Sequence, residues 1–586
     1  MNRIPNIFYR VSSADRPALR IGLLLDSREK LSAFAATIVE DIKASNFANI
    51  ELVIVNKNSE TASPSPAEEE NVEKKSRHRS HSNSSKRALY ELYLRLDAKM
   101  KPADDPLAEV DGSALLSGIE TLEFDSSEER PAQVQLADAL KRIRSAKLDV
   151  LIQLGCNPCQ DDVWKGVRCG MWFYHFGDEE FYRGKPSHFW ELRENAPLSG
   201  VTLQAAGEEL SSGLVLAKAW FATERTLSVS RNRYAPYWGS SELVISRLNA
   251  LHQFGWDYLR AQGSPVSAYR GKQASYETPT NRNMLGWLGP ILTKKAISYP
   301  FRRNNVQHWR IAIRMNATPL YQTNGEADVS GFRWIESPRG SAWADPFLFE
   351  HEGKCWAFFE DYSYQTGKAG LACAEVSDRG EFGTVLPCLS NAAHHYSYPH
   401  VFRDGNEIFM IPESFDSNTV DIYRCRKFPD QWVYEALLLQ GKFVDTTVWK
   451  HDGLWWFATT SADPGPGAGS LLLFYSESVT GDWTFHPSNP ISTDIRTNRG
   501  AGRIIRTGNR LIRPNQSCAP SYGYSVSFSE ITELSKERYS ERLLKTISPK
   551  AFEGIAGIHT YNTAGKFEVI DGRCPVALKN AQLPRK

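Results

Sequence analysis

The chain has 586 residues, of which 41% are hydrophobic and 23% charged, and its formal net charge is +1. This composition is typical of a globular protein, and the length predicts two or three domains at roughly 100–200 residues each. A net charge near zero supplies no overall field that would attract a nucleic acid, so we expect no nucleic-acid partner. Aromatic residues make up 11% of the chain, which suits β-rich folds and the stacking of sugar rings.

The nine cysteines are odd in number and scattered along the chain. This pattern favours reduced thiols and a cytoplasmic location. Cys156 and Cys159 form a CxxC pair, but no second pair follows at zinc-site spacing, so we predict no metal site. The first residues lack the apolar core and cleavage site of a signal peptide. The sequence contains no apolar run of about 18 residues, so we predict no transmembrane segment.

The first third of the chain alternates apolar runs with a helical pattern. Leu19–Leu25 and Ile50–Val55 flank a helical stretch at Ser32–Ser45, which predicts a strand–helix–strand unit in a buried parallel sheet. Further buried strands are predicted at Leu148–Leu154 and Gly170–Phe176. These elements predict a mostly parallel α/β fold for this part of the chain.

We place the boundaries of this α/β domain at residues 19–225. Inside it, residues 58–86 are rich in Ser, Glu, Lys and Arg and nearly free of large apolar side chains. Such a segment cannot bury enough apolar surface to offset its ordering entropy, so we expect a disordered insertion. A helix is predicted to resume at Arg87–Asp97.

A histidine and an acidic cluster follow the strand at Gly170–Phe176, in the sequence WFYHFGDEEFYRG. Ligands of open α/β sheets bind outside the carboxyl ends of the strands, so we expect His175 and Asp178 to point into a crevice and to be candidate catalytic residues. The adjacent acids would raise the pKa of His175. The alternative is that His175 caps the strand and the acids form a solvated loop.

The longer stretch HFGDEEFYRGKPSHFWELRENAPLSGVTLQ resembles the centre of the formyltransferase family, which includes methionyl-tRNA and sugar-nucleotide formyltransferases. His175, Arg183-Gly184, Pro186 and Gly200-Val201-Thr202 follow the family's order, and the resemblance covers about residues 19–220. It implies a formyltransferase-like α/β fold and a substrate-binding role for Arg183.

Two of the three groups that carry the family's chemistry are replaced here. Phe173 stands where the family has an asparagine, and Ser211 stands where it has an aspartate. A phenyl ring cannot donate a hydrogen bond to a developing oxyanion. We therefore expect no tetrahydrofolate-dependent formyl transfer by that mechanism.

Residues 226–305 are predicted to form a helical connector between two domains. Asn232–Trp238 is interpreted as a loop, Ser240–Leu259 and Met284–Ile297 carry helical patterns, and Ser264–Asn283 is interpreted as a polar linker.

The C-terminal half contains five copies of one pattern, an apolar strand, a polar turn with glycine and an apolar-aromatic strand. The turn glycines are separated by 52, 48, 55 and 57 residues and are Gly353, Gly405, Gly453, Gly508 and Gly565. About 50 residues is the period of a β-propeller blade, so we predict a five-bladed propeller over residues 306–580. The last copy has two strands, and Gln307–Arg314 and Gly331–Ile335 can supply its outer strands and close the ring.

Residues that open each repeat or end its second strand should converge on the propeller axis. Acids from different blades, with His and Arg, compose a site suited to acid/base chemistry on sugars. The candidate catalytic residues are Asp345, Glu413 and Asp445. The candidate substrate-binding residues are Glu360, Asp361, His400, Arg503, Asn515 and His559. The alternative for any one aspartate is that it only holds the hairpin through backbone amides.

The propeller resembles two groups of proteins. Its first-blade aspartate and later acids are similar in type to those of the arabinanase and xylosidase glycoside hydrolases. The elements ADPF, PES and DTTxW resemble the propeller of plant glucosamine inositolphosphorylceramide transferases, over about residues 306–575. Both resemblances imply work on glycans or glycolipids.

These patterns leave four functions open. The first is a glycosyl or related group transferase in assembly of a surface polysaccharide or glycolipid, with the sugar in the propeller funnel and a nucleotide-type donor in the α/β domain. The others are a glycoside hydrolase that uses the propeller acids, a sugar N-formyltransferase and a non-catalytic glycan-binding scaffold. The expected partner is a carbohydrate or glycolipid substrate. The sequence indicates no particular cofactor, although a nucleotide sugar is a possible donor. It does not predict the oligomeric state.

Overall fold

The computed structural model divides the chain into two compact units, Met1–Tyr299 and Pro300–Lys586. It describes residues 4–56, 81–124, 139–155, 166–207, 210, 213–298, 305–315, 318–322, 328–390, 394–462 and 469–577. Cys156, Cys159, Ser211 and residues 58–80 of the predicted insertion lie outside the described residues.

The first unit is built on an eight-stranded sheet. Its strands run in the order β10-β9-β8-β7-β6-β1-β3-β5, while β2 and β4 pair separately. Strands β7, β6, β1, β3 and β5 are parallel to one another, and β8, β9 and β10 extend the sheet antiparallel beyond β7. The strands of this unit are β1 Leu19–Leu25, β2 Lys30–Ser32, β3 Ala48–Asn56, β4 Glu109–Asp111, β5 Glu120–Phe124, β6 Val150–Gln153, β7 Met171–Phe176, β8 Leu198–Ala206, β9 Leu214–Ala222 and β10 Ser264–Pro265. The predicted mostly parallel α/β fold is confirmed.

Eight helices of this unit are labelled α1 to α8, and residues 139–145 form a further helical segment. The labelled helices are α1 Ile4–Phe8, α2 Ala33–Ala44, α3 His81–Asp97, α4 Phe189–Arg193, α5 Val229–Ser240, α6 Glu242–Phe254, α7 Trp256–Gln262 and α8 Asn281–Ser298. Helix α2 begins where the Ser32 side chain accepts a hydrogen bond from the Ala35 backbone at 3.2 Å, which satisfies one unpaired N–H of its first turn. The helix predicted at Arg87–Asp97 forms the greater part of α3, which begins at His81 inside the predicted insertion.

The prediction of a loop at Asn232–Trp238 is wrong, because these residues lie inside α5. Pro236 and the weak amphipathic pattern argue against a helix when only the sequence is considered. The Ser228 side chain caps the helix by accepting from the Arg231 N–H at 3.1 Å, and Tyr237 and Trp238 are buried. Capping and burial therefore override the local preference.

The second unit consists of five antiparallel sheets, each with a core of four strands in the described residues. They form the five blades of a β-propeller, as predicted. The strands are β11 Asn305–Met315, β12 Arg333–Ile335, β13 Ser341–His351, β14 Lys354–Ser363, β15 Lys368–Val376, β16 Leu386–Leu389, β17 Ser397–Asp404, β18 Glu407–Glu413, β19 Thr419–Lys427, β20 Gln431–Gln440, β21 Phe443–His451, β22 Leu454–Ser461, β23 Leu471–Ser476, β24 Thr484–Phe485, β25 Arg499–Gly500, β26 Ile505–Thr507, β27 Arg510–Ser517, β28 Ser525–Leu534, β29 Tyr539–Ile547, β30 Tyr561–Ala564 and β31 Phe567–Ala577.

Blades 1, 2 and 3 are β13–β16, β17–β20 and β21–β24 in chain order. Blade 4 is irregular, because its innermost position is shared by the two short strands β25 and β26, which both pair with β27. Blade 5 combines β30 and β31 with β11 and β12 from the start of the unit. The pairing of β11 with β31 runs without interruption from Asn305 opposite Ala577 to Met315 opposite Phe567, which confirms the predicted closure.

The described residues bear on the predictions about membrane spans and about cysteines. No helix in the described part of the chain is long and apolar enough to cross a membrane. The seven cysteines that the structure describes are free thiols: Cys169, Cys355, Cys373, Cys388, Cys425, Cys518 and Cys574.

We predict that Gly502→Ala strongly destabilises the propeller. Gly502 has φ +138°, and a Cβ atom built on it would lie 2.0 Å from the Tyr561 carbonyl oxygen of blade 5, where only backbone could move away. A cost of about 3 kcal/mol or more is expected, measured as a lower urea midpoint of propeller unfolding.

Gly508→Ala is the matched control, because Gly508 also has a positive φ, +58°, but no heavy atom lies within 4 Å of its added Cβ. It should lose only about 1–2 kcal/mol. Equal losses for the two variants would show that close packing at Gly502 does not matter.

Candidate active site at the propeller axis

The innermost strands of the first three blades carry the same backbone distortion. Asp345, Tyr398 and Asp445 have φ values of +49°, +47° and +52°, and each lies where the pairing with the second strand shifts register. A left-handed conformation costs a non-glycine residue about 1–2 kcal/mol. The same cost at equivalent positions of three blades indicates a functional constraint at the axis.

Backbone N–H groups of these three residues donate to carboxylates of the preceding blades. The Asp345 N–H donates to Asp571 Oδ2 at 3.0 Å, and the Tyr398 N–H donates to Asp345 Oδ2 at 3.2 Å. The Asp445 N–H donates to Glu413 Oε2 at 3.1 Å. Buried acids therefore join blade 5 to blade 1, blade 1 to blade 2, and blade 2 to blade 3.

Six charged side chains, here called the axial cluster, lie around these bonds. They are Asp345, Glu413, Asp445, Arg499, His559 and Asp571. All have side chains no more than 13% exposed, so their charges interact in a medium that screens weakly.

One half of the axial cluster is a chain of two acids and a histidine. His559 Nδ1 lies 2.5 Å from Asp571 Oδ2, and His559 Nε2 lies 3.6 Å from Asp345 Oδ1. The Thr560 hydroxyl donates to Asp345 Oδ1 at 2.7 Å. Burial lowers the pKa of His559, but the carboxylates of Asp571 and Asp345 outweigh this and raise its pKa to about 9. The imidazole is therefore a cation at neutral pH.

The carboxyl of Asp345 titrates near neutrality. Burial raises its pKa to about 7, the His559 charge opposes this shift, and Glu360, Asp571 and Asp445 reinforce it. A carboxyl with a pKa near the working pH can both take up and release a proton.

Asp345, His559 and Asp571 also lie close enough to bind a cation, because one ligand atom from each falls within 4.8 Å of the others. Asp571 is already saturated, however, since its oxygens accept from the N–H groups of Asp345, His559 and Thr560 and face His559 Nδ1. These hydrogen bonds favour the protonated imidazole as the cation of this triad.

The other half of the axial cluster places an acid of raised pKa beside an ion pair. Arg499 Nε donates to Asp445 Oδ2 at 2.5 Å, and its Nη2 lies 4.0 Å from Glu413 Oε2. Burial and the charge of Asp445 raise the pKa of Glu413 well above its ordinary value, although Arg499 opposes the shift. A carboxyl group of raised pKa therefore lies beside one that is ion-paired to an arginine, which is the arrangement of a general acid and its partner.

Aromatic rings surround the axial cluster. Trp309 stacks on the His559 ring with centroids 3.9 Å apart, and Tyr522 meets the same ring edge-on at 5.7 Å. The Arg499 guanidinium lies 5.1 Å from the centre of the Tyr522 ring. Tyr522 is 45% exposed, so it offers solvent an aromatic face beside the buried charges. Such a face can stack on the apolar side of a sugar ring.

The structure brings together four residues that the sequence selected, namely Asp345, Glu413, Asp445 and His559. The other candidate residues of the propeller form hydrogen bonds or ion pairs with residues outside the axial cluster. Glu360 Oε1 pairs with His395 Nε2 at 3.2 Å, and Asp361 accepts from the Trp343 indole at 3.0 Å.

The three remaining candidates are buried in bonds between or within blades. His400 Nε2 lies 3.0 Å from the Val448 carbonyl oxygen, and burial lowers its pKa to about 3. Arg503 donates to the Val401 carbonyl at 2.7 Å, and Asn515 donates to the Ser529 hydroxyl at 2.7 Å. The contacts of His400 and Arg503 join different blades, that of Asn515 lies within blade 4, and none of these contacts is to the axial cluster.

Sequence reasoning missed Arg499, Asp571 and Tyr522. Asp571 lies inside β31, six residues after the turn glycine Gly565, whereas Glu413 ends β18, eight residues after Gly405. The rule that selected residues at the ends of the second strands therefore passes over Asp571. Arg499 lies in the extra strand β25 of the irregular blade 4, and Tyr522 lies in a loop, so the repeat gives no signal for either.

The α/β unit places its predicted candidates in backbone contacts. His175 Nε2 lies 3.1 Å from the Tyr182 carbonyl oxygen, and Asp178 accepts from the Glu180 N–H at 3.0 Å. Arg183 donates to the carbonyls of Glu179 and Ser267 at 2.8 and 2.9 Å. Burial lowers the pKa of His175 and outweighs Glu179 and Glu191, which raise it as expected, so the net shift is downward.

A small cavity lies beside these residues, lined in part by Arg183, His188, Glu191 and Tyr276. Its volume of about 10 Å³ is room for roughly one water molecule. His188 Nδ1 lies 3.5 Å from Glu191 Oε1, and neither atom has a hydrogen bond within the described residues. The cavity suits a bridging water, whereas the axial cluster offers the chemistry of a substrate site.

We predict that His559→Gln removes a pH dependence of stability. The folded pKa of His559, about 9, exceeds its ordinary value of 6.5, so its stabilising contribution is complete below pH 6.5 and is lost as the pH rises through 9. The full loss is roughly 3 kcal/mol. Urea unfolding between pH 6 and pH 9.5 measures it.

His351→Gln is the control, since His351 lies outside the axial cluster and contacts Arg403 at the surface. It should keep the wild-type slope of stability against pH. If His559→Gln also keeps that slope, the triad does not hold a proton as described.

Comparison with known proteins finds sequence similarity in the propeller region. Residues 335–563 match the family model described as "Glucosamine inositolphosphorylceramide transferase 1, N-terminal". Glucosamine inositolphosphorylceramide transferase 1 of Oryza sativa subsp. japonica is 35% identical over 202 residues, which are 34% of this chain and 27% of that protein. The Arabidopsis thaliana protein of the same name is 36% identical over 203 residues, 34% of this chain and 26% of that protein.

This chain spans about a quarter of the length of the curated relatives it matches. Among solved structures, the Cellvibrio cellulosa α-L-arabinanase complexed with arabinohexaose is similar with a TM-score of 0.28 and 9% identity, covering 37% of this chain and 80% of that one. The formyltransferase resemblance of the α/β unit stays a prediction. The resemblance of the propeller to that of the glucosamine inositolphosphorylceramide transferases is confirmed over residues 335–563.

Proposed function

We propose that this protein is a carbohydrate-active enzyme that transfers a glycosyl or related group in glycolipid assembly, with the sugar bound at the axial cluster. The observation that carries the proposal is the pair formed by Glu413, whose pKa is raised, and Asp445, which is ion-paired to Arg499. Such a pair supplies a proton donor and a fixed negative charge within one site.

The matched region supports the glycolipid class. Residues 335–563 contain Asp345, Glu413, Asp445, Arg499 and His559 and match proteins named for transfer to inositolphosphorylceramide. An acceptor of that kind carries sugar or inositol hydroxyls on a lipid. Carboxylates and an exposed aromatic ring such as Tyr522 are the groups that bind hydroxyls and sugar faces.

Each axial residue then has a definite part. Glu413, whose pKa is raised, donates a proton to the oxygen of the leaving group. Asp345, with a pKa of about 7, accepts the proton of the attacking hydroxyl. The Asp445–Arg499 pair holds the position and charge around Glu413, and the His559–Asp571 pair orients Asp345.

The α/β unit is proposed to bind a nucleotide-type donor at the carboxyl edge of its parallel strands. Asp26 follows β1 at this edge, close to Gly155 after β6, where an added Cβ would lie 2.4 Å from Asp26 Oδ2. Asp26 Oδ1 is buried and has no hydrogen bond within the described residues. A carboxylate in this position can accept from the hydroxyls of a ribose.

A glycoside hydrolase is the second candidate, favoured by the same acid pair. If water replaces the acceptor hydroxyl at Asp345, the chemistry is hydrolysis and needs no nucleotide donor. The product separates the two candidates, because transfer yields a glycosylated lipid and hydrolysis yields a free sugar.

We predict that Glu413→Gln and Asp345→Asn each lower the rate of group transfer by about 10²–10⁴-fold, since each removes one proton-transfer step. The assay combines nucleotide-activated amino sugars with an inositolphosphorylceramide acceptor and detects the product by mass spectrometry. A parallel panel of aryl glycosides reports hydrolysis. Calorimetry with the same nucleotide sugars and glycans reports binding independently of turnover.

Glu375→Gln is the control, because Glu375 pairs with Lys354 at the surface of blade 1 and neither residue belongs to the axial cluster. It should keep wild-type activity. Absence of binding to every nucleotide sugar and glycan tested would sink the proposal, and wild-type rates in both axial variants would leave only a non-catalytic role.

A further inference from the structure

The outward side of α3 has an unusual composition. Every exposed residue of α3 and the following turn, between residues 86 and 100, is either basic or apolar. We call this set the α3 face, and its members are Lys86, Ala88, Leu92, Arg95, Leu96, Lys99 and Met100. Leu92, Leu96 and Met100 are 52%, 56% and 40% exposed.

The spacing places four of these side chains on one side of the helix. Leu92, Arg95, Leu96 and Lys99 follow at intervals of three, one and three residues, so they share a single face of a 3.6-residue turn. The opposite side, with Tyr90 and Tyr93, is buried in the unit's aromatic core. An exposed face of leucines is costly in water unless something else covers it.

Helix α8 packs against α3 and extends the pattern. The Leu89 N–H donates to Asn281 Oδ1 at 2.9 Å, and the rings of Tyr93 and Trp287 lie 5.5 Å apart. Leu285 and Leu292 of α8 are 63% and 59% exposed, yet its described side chains include no exposed acid. Within residues 86–100 and within residues 281–293, the two neighbouring helices together expose five large apolar side chains and several basic ones. Neither range contains an exposed acid.

We propose that the α3 face and the exposed leucines of α8 dock this protein onto the surface of an anionic lipid bilayer. Leucine and methionine side chains insert at the boundary of headgroups and acyl chains, while Arg95 and Lys99 meet the negative headgroups. Charge complementarity selects the membrane as occupant, because the exposed charged residues of this surface are all basic and are attracted to an anionic leaflet.

This inference goes beyond the proposed function and does not depend on which sugar is transferred. A lipid-linked substrate is held in a bilayer, so an enzyme that docks there meets its substrate at a raised local concentration. Docking also holds if the substrate is another lipid-linked glycan.

The test uses the full chain and vesicles that contain no glycolipid. Wild-type protein is sedimented with vesicles of phosphatidylcholine alone or with 30% phosphatidylserine, at 0.1 M and 0.5 M salt. We expect binding to the anionic vesicles at 0.1 M salt, several-fold weaker binding to the neutral ones, and weakening at 0.5 M salt as the charges are screened.

Two double variants separate the apolar and basic contributions. Leu92→Ser with Leu96→Ser should weaken binding to anionic vesicles by about tenfold or more, because two inserted side chains are lost. Arg95→Gln with Lys99→Gln should weaken it by about thirtyfold, from about 1 kcal/mol for each basic residue near the surface. The second variant should bind neutral vesicles as the wild type does.

Matched controls lie on the propeller. Leu437→Ser with Leu543→Ser removes two leucines that are 47% and 55% exposed, and Arg538→Gln with Arg542→Gln removes two exposed arginines. Both should bind like the wild type, and circular dichroism should show every variant folded. Failure of the wild type to sediment with anionic vesicles at 0.1 M salt overturns the proposal, as does equal binding by the α3-face variants and the controls.

Discussion

The hydrogen bond from the Asp345 backbone N–H to the Asp571 carboxylate is the interaction on which the candidate site depends. It joins the first blade to the last, and Asp571 also accepts from the backbone of His559 and Thr560. The residue that would carry proton transfer is thus held by the closure of the ring. Blade architecture and site chemistry cannot be separated, because the same buried carboxylates serve both.

Burial explains why the acids of the axial cluster differ from ordinary surface acids. Removal of water penalises a carboxylate unless a cation or N–H groups replace the lost hydration. Asp445 is compensated by Arg499, and Asp571 by His559 and three N–H groups, whereas Glu413 receives less and its pKa rises. Unequal compensation of similar side chains therefore produces different proton affinities within one funnel.

Much of the fold can be predicted from the sequence, because it is determined by the conformational preferences of individual residues. The turn glycines of the five repeats adopt φ between +54° and +79°, conformations that glycine reaches without strain, so their spacing marks the blades. Helix α5 does not follow, because its stability comes from burial of Tyr237 and Trp238 and not from its own preferences. Arg499 is missed for a related reason, since blade 4 breaks the repeat at β25 and the partner of Asp445 is fixed only by tertiary packing.

The pairing of β11 with β31 has a consequence for biosynthesis. The two strands of this uninterrupted ladder are separated by some 250 residues of chain, so blade 5 stays incomplete until the last strand leaves the ribosome. At 5–20 residues per second this takes roughly 10–50 s, during which β11 has an unpaired edge. The α/β unit precedes the propeller and can fold first, while the nascent propeller is the stage at which chaperones would be needed.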